Sequence, residues 1–192
     1  MRMPDLTLYL GGTRSGKSVH AERDALQARG PVLYVATAQR RLEDPAMMER
    51  IRAHQKRRPE HWHTLECPLG LAEHIATFLR SPQMPSSPHQ PTVLIDCVTM
   101  WVTNILCSLP DPEDAVLLEK TCRKELQDLL ELMDTISCHW IAVSGETGLG
   151  GIQATAMARS FCDGLGLVNQ MLAARAREAW FCIAGKKLLL SD

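Results

Sequence analysis

The chain has 192 residues, 45% of them hydrophobic, and sets 21 Lys plus Arg against 22 Asp plus Glu for a net charge of -1. That much apolar material can bury one sizeable core, and the balanced charge excludes a global field that would draw the protein onto nucleic acid or an anionic membrane. No apolar run reaches the ~20 residues of a membrane span, the stretch before the first Gly-rich loop is too short for a signal peptide, and seven cysteines without a Cys-x-x-Cys pair read as reduced thiols of a cytoplasmic protein.

Leu6 to Leu10 reads as the first strand. Beyond the Gly-rich loop, Ser18 to Arg29 can form a helix with Gly30 as its stop, and Pro31 opens a second strand, Val32 to Thr37, completing a βαβ unit. Met47, Ile51 and His54 are spaced by four and three, which puts them on one side of a helix over 47–57 that Pro59 ends. Leu71 to Arg80 is the next helix, and residues 81–91, with four prolines and three serines, read as an exposed irregular loop. Thr92 to Asp96 is a buried strand ending in a carboxylate, Asp114 to Ile136 a long amphipathic helix, and Trp140 to Ser144 another strand. Ala158 to Arg177 is mostly helical, and Trp180 to Ala184 with Leu188 to Leu190 closes the sheet. Short apolar runs alternating with longer helical stretches predict one α/β domain of the P-loop NTPase type over residues 1–192. Its sheet should be mainly parallel and doubly wound, with six or seven strands flanked by helices.

The segment Gly11-Gly12-Thr13-Arg14-Ser15-Gly16-Lys17-Ser18 fits G-x-x-x-x-G-K-[ST] and stands between a strand and a helix, the context in which that pattern binds phosphate. Glycines let the backbone turn so that successive N–H groups point inward, and the following helix adds its positive end. Lys17 is expected to neutralise the β and γ phosphates and Ser18 to ligate Mg2+ through its hydroxyl. A carboxylate at a neighbouring strand end should share that ion; Asp96, after Val93-Leu94-Ile95, is the candidate, with an ordinary turn aspartate as the alternative. Ala36, Thr37 and Ala38 follow the second strand on the edge where open α/β sheets hold ligands, and their small side chains allow a nucleotide to approach the backbone.

Two readings of His54 stay open on residues alone. The ring packs against Met47 and Ile51 as a core histidine with a solvated basic helix end behind it, or a neutral imidazole serves as a nucleophile at phosphorus. In the second reading, the cations that follow it, Lys56, Arg57 and Arg58, offset charge on a leaving pyrophosphate. Glu66 by itself reads as an exposed strand-end residue. His61 and His63 form an H-x-H that no Cys or carboxylate cluster supports, so surface or packing roles are expected.

Six ordered segments resemble one family over nearly the whole chain: GGTRSGKS at 11–18, YVATA at 34–38, RIRAHQKRRPEHW at 50–62, VLIDCVTMWVTNIL at 93–106, ETGLGGI at 146–152 and VNQMLAARA at 168–176. They are similar to the bifunctional adenosylcobinamide kinase/adenosylcobinamide-phosphate guanylyltransferases of cobalamin biosynthesis. The resemblance implies ATP and GTP as substrates, Mg2+, adenosylcobinamide and its phosphate as acceptors, and a homo-oligomer. It also implies that His54 is the histidine that becomes guanylylated, that Gln55, Lys56, Arg57 and Arg58 line the guanine-nucleotide site, and that Glu66 lies at the nucleotide. Departures from the family pattern are Ala46 for an acidic residue, Gly145 for Asn, Gln153-Ala154 for Val-Pro, and Ala184-Gly185-Lys186-Lys187 for a Ser-Gly-Ile-Pro-like stretch. A monofunctional P-loop kinase of another hydroxyl substrate and a nucleotide-gated regulatory protein are the competing functions.

Overall fold

Leu6, Leu8 and Leu10 point to one side of β1 (Leu6–Gly11) and Thr7 and Tyr9 to the other, and all five are buried, as in a strand covered by helices on both faces. A computed structural model of the chain describes residues 4–39 and 45–190, without the side chains of residues 45–47 and 50. The expectations at Ala46 and at the Met47 side chain lie outside the described residues.

The elements follow as α1 (Lys17–Ala25), β2 (Val32–Ala36), α2 (Pro45–Arg57), β3 (His63–Glu66), α3 (Leu71–Arg80), β4 (Thr92–Asp96) and α4 (Val98–Ser108). After α5 (Ala115–Thr135) and β5 (His139–Gly145) come a short 3-10 turn (Gly148–Gly150), α6 (Ala156–Ala173), β6 (Glu178–Ile183) and β7 (Lys186–Leu190). The seven strands are ordered β3-β2-β4-β5-β1-β6-β7, parallel throughout except for the antiparallel β6–β7 hairpin. The predicted α/β, mainly parallel sheet is therefore present. Its larger core packs Leu8, Leu33, Val93 and Trp140 against α3 to α6, and a smaller one packs Tyr9, Tyr34, Leu94 and Val143 against Ala21 and Ala25 of α1. Because β1, β4 and β5 are parallel neighbours, Gly11, Asp96 and Gly145 end on the same edge.

Several boundaries differ for identifiable reasons. Helix α1 stops at Ala25 and not at Arg29. Gly30 is required by a close approach, since a Cβ there would lie 2.2 Å from the Gln90 carbonyl oxygen. Helix α5 begins after Asp114, whose carboxylate accepts the Leu117 N–H at 2.9 Å, and α6 after Thr155, whose hydroxyl accepts the Ala158 N–H. The residue pattern does not predict strand β3 or helix α4 as separate elements. The first has four residues that alternate half-buried and exposed, and the second is a continuous apolar run without a clear period. Cys67, Cys122, Cys138 and Cys182 are buried, Cys97 and Cys162 half-buried, and Cys107 exposed; all seven are free thiols. Among the described residues no helix is long and apolar enough to cross a membrane.

At the opposite sheet edge His139 sits between two carboxylates, with Nδ1 3.1 Å from Asp5 and Nε2 3.7 Å from Asp24. Asp24 and then Asp5 raise the imidazole pKa, outweighing burial. A raised folded-state pKa stabilises fully below the unfolded value, and that stability is lost as pH rises through the folded value. His139→Gln should therefore lower the unfolding stability at pH 5.5, read from the denaturant midpoint, by on the order of 1 kcal/mol or less for this partly exposed cluster. The difference should shrink as pH climbs above the ordinary histidine range, and an equal loss at pH 5.5 and pH 9 would contradict the ion-pair account.

Candidate functional site

The loop between β1 and α1 is shaped by three positive-φ residues, Gly11 at 154°, Arg14 at 57° and Gly16 at 99°. Backbone of this kind turns successive N–H groups to one side and makes an anion-binding concavity. Gly11 cannot carry a side chain, because its Cβ would lie 2.4 Å from the Cys182 carbonyl oxygen of the adjacent strand. Gly11→Ala should cost about 2 kcal/mol or more through strain at this position and weaken nucleotide binding with it. A thermal melt and titration with a fluorescent nucleotide check both. Unaltered affinity would show that the turn tolerates the shift.

Lys17 Nζ donates to the Gly12 carbonyl at 3.0 Å, and Ser18 Oγ donates to Asp96 Oδ1 at 3.4 Å. The second Asp96 oxygen accepts the Tyr34 hydroxyl at 2.7 Å and lies 3.2 Å from His54 Nδ1. Burial alone would raise the Asp96 pKa, but the His54 hydrogen bond, the Tyr34 hydroxyl and the Arg58 charge leave it below the ordinary carboxylate range. The carboxylate is thus held ionised beside the loop.

His54 rides on α2 and is half-buried, its Nδ1 also 3.6 Å from Glu22 Oε1 of α1. Arg57, one turn on, forks onto Glu22 with contacts of 2.9 and 3.0 Å and so ties α2 to α1. Arg57 Nη2 donates to Glu22 Oε1 at 3.0 Å and also lies 3.3 Å from His54 Nδ1. Of the groups around Nδ1, the buried Asp96 anion is nearer and needs a donor, so we assign the Nδ1 proton to Asp96, which leaves the Nε2 lone pair free. Arg58 stacks 3.4 Å above the Tyr34 ring.

All of these groups except Glu22 line one cavity of about 510 Å³ that runs from the Gly-rich loop across the ends of β5, β4, β2 and β3. Its walls carry the cations Arg14, Lys17, Arg57 and Arg58 and the carboxylates Glu66, Asp96 and Glu146. Ser15 Oγ and Arg58 Nε are buried there without a hydrogen-bond partner among the described residues, donors that suit an anionic guest. The Cys97 thiol, pushed up to about 11 by burial and by Asp96, stays protonated and is no competing nucleophile.

Every residue from Gly11 to Ser18 lines this cavity, as do Ala36, Ala38, His54, Gln55, Arg57, Arg58, Glu66 and Asp96. Thr37 and Lys56 do not. Thr37 is fully buried, its hydroxyl donating to the Cys97 carbonyl and accepting the Cys97 N–H, while Lys56 is exposed on the outer side of α2. Trp101 and Asn104 belong to the scaffold; Asn104 is buried and donates to the Thr37 and Pro68 carbonyls, pinning the chain after β2 and β3. Glu22 and Tyr34 were missed. Glu22 lies one helical turn after Ser18, and Tyr34 shares a strand face with Ala36, so both periodicities carried the signal. The ligand-type side chains that converge among the described residues are Glu22, His54 and Asp96, whereas His63 tilts against Phe78.

A Gly-rich loop on the first strand, a lysine and serine at its exit and a carboxylate at a parallel strand end define a P-loop nucleoside-triphosphate-binding protein. The solved structure of an ATPase domain shares the fold, with a TM-score of 0.50 at 11% identity over 94% of this chain and 70% of that one. Residues 7–190 match the family described as cobinamide kinase / cobinamide phosphate guanyltransferase, and the chain belongs to that family. It is 38% identical over 186 residues to the bifunctional adenosylcobalamin biosynthesis protein CobU of Salmonella typhimurium, covering 94% of this chain and 96% of that protein. The Escherichia coli protein of the same name is 36% identical over 94% of this chain and 96% of its own length. For the bifunctional protein CobP of Pseudomonas aeruginosa the figures are 38%, 93% and 92%.

Proposed function

We propose that the chain transfers the γ-phosphoryl group of ATP or GTP to the aminopropanol hydroxyl of adenosylcobinamide, then moves GMP from GTP onto that phosphate by way of His54. Pyrophosphate leaves in the second reaction, and adenosylcobinamide-GDP is the product. One observation carries this reading: the His54 imidazole, 3.2 Å from Asp96, shares a single cavity with the whole phosphate loop.

In the kinase step the loop amides and Lys17 cradle the phosphates. Ser18 Oγ and Asp96, a hydroxyl beside an ionised carboxylate, form a donor set that fits Mg2+. That ion, when bound, would supply charge neutralisation at the phosphate oxygens. In the transferase step His54 Nε2 attacks the α-phosphorus of GTP while Nδ1–H stays on Asp96, and the new N–P bond replaces the bond to pyrophosphate. Arg57 and Arg58 offset charge on the departing group, and Gln55 and Glu66 extend the nucleotide site. The nucleotide-binding role of the 11–18 loop, and of Ala36 and Ala38, belongs to the same reading.

The free thiols and balanced charge support work in the reducing cytoplasm without a nucleic-acid partner, and we extend the family's homo-oligomeric habit to this chain. Intact-mass measurement after exposure to GTP tests the transferase reading. One added GMP per chain is expected; phosphorylation of adenosylcobinamide with no adduct would leave a monofunctional kinase.

A further inference from the structure

The segment 146–152 has no part in the chemistry above, although it opens with a carboxylate on the cavity wall. Its base is rigid. Asn169 of α6 accepts the Ser144 hydroxyl at 2.6 Å and donates to the Gly145 carbonyl at 2.9 Å, while Thr99 accepts the Gly145 N–H at 2.6 Å. A Cβ at residue 145 would lie 2.8 Å from the Thr99 hydroxyl, so a side chain there requires Thr99 to move. The Glu146 N–H then donates to the Gly11 carbonyl at 3.2 Å, fixing Glu146 to the first residue of the phosphate loop. Its Oε1 accepts the Gly148 N–H at 2.6 Å.

The other two carboxylates on the cavity wall are placed for different work. Asp96 is already shared by Ser18, Tyr34 and His54. Glu66 ends β3, four strand spacings from β1 and so roughly 19 Å across the sheet, whereas Glu146 directly follows β5, the immediate neighbour of β1 at about 4.8 Å. A base for phosphoryl transfer has to stand beside the terminal phosphate and not hold the metal. Beyond Glu146 the loop exposes Leu149 at 80% and Ile152 at 94%, an apolar rim suited to a large, partly apolar acceptor on this side of the cavity.

We propose that Glu146 is the general base of the kinase reaction, an inference that rests on the kinase reading above. Glu146 Oε2 takes the proton of the acceptor hydroxyl as that oxygen bonds to the γ-phosphorus. The bond from the γ-phosphorus to the β,γ-bridging oxygen breaks, its electron pair leaves with the nucleoside diphosphate, and the proton passes from Glu146 to water. No part of guanylyl transfer to His54 uses this carboxylate.

The test compares the parent chain with Glu146→Gln and Glu146→Ala, using adenosylcobinamide with ATP or GTP and, separately, GMP adduct formation from GTP. In Glu146→Gln the kinase kcat should fall about 10²-fold or more with the nucleotide KM within a factor of about two, and adduct formation should be unchanged. Added formate should restore part of the kinase kcat of Glu146→Ala, which a purely structural role would not permit. Kinase turnover within about threefold of the parent chain overturns the proposal, and so does a parallel fall in turnover and adduct formation without rescue by formate. A parent chain that phosphorylates no adenosylcobinamide fails at the earlier step and overturns the kinase reading itself, and the base assignment with it.

Discussion

A His54→Ala variant exposed to GTP labelled at the α-phosphate is expected to keep no label after denaturation, whereas the parent chain keeps label that acid removes and base does not. The reason is the asymmetry of the imidazole's surroundings. Nδ1 lies 3.2 Å from Asp96 and 3.6 Å from Glu22, which orients the ring and leaves Nε2 as its nucleophilic nitrogen. The backbone alone cannot replace it, and the half-reaction that passes GMP to the corrinoid phosphate should fall at least roughly 10³-fold. Kinase turnover should fall by a much smaller factor, because Asp96 retains Ser18 and Tyr34. Label in the alanine variant would remove His54 from the mechanism and leave the cavity as a nucleotide site only.

The second large effect is expected at Asp96. Its carboxylate joins the phosphate loop through Ser18, the second strand through Tyr34 and α2 through His54, so one truncation acts on both proposed reactions. Asp96→Ala removes the anionic partner of Ser18 in the pair proposed to hold Mg2+. A loss of several kcal/mol of transition-state stabilisation is expected, roughly 10²- to 10³-fold in kinase kcat at 1.36 kcal/mol per tenfold. The deficit should deepen at limiting Mg2+, and adduct formation should also slow because Nδ1 loses its nearest anion. A thermal melt separates this from misfolding. Turnover equal to the parent chain at limiting Mg2+ would reject the role.

In the sequence, the loop was legible because its pattern is local: eight consecutive residues carry the glycines, the lysine and the serine, and a strand and a helix flank them. Strands β1, β2, β4 and β5 were legible for a similar reason, since burial on both faces leaves near-continuous apolar runs. His54 was ambiguous by itself. Its spacing from Ile51 predicts one helix face whether that face meets a core or a cavity, and both side chains in fact line the cavity. Gln55, Arg57, Arg58 and Glu66 were reached through the resemblance, which also named Lys56.

Strand order, and everything that follows from it, was decided by the tertiary structure. Hydrogen bonding places β5 between β4 and β1, which brings Asp96 and Glu146 to the edge of the phosphate loop and sends Glu66 to its far end. Pairing partners depend on contacts far apart in the chain, so no local period encodes them. Thr37 illustrates the same limit: its position after β2 is correct, but a hydroxyl bound both ways to Cys97 serves the scaffold. Residue types and spacings determined that this chain could bind a triphosphate and carry a histidine on a cationic helix. The tertiary structure set that histidine beside the Gly-rich loop, through the Arg57–Glu22 ion pair and the His54–Asp96 contact, because contacts across 35 and more residues exist only once the elements are in place.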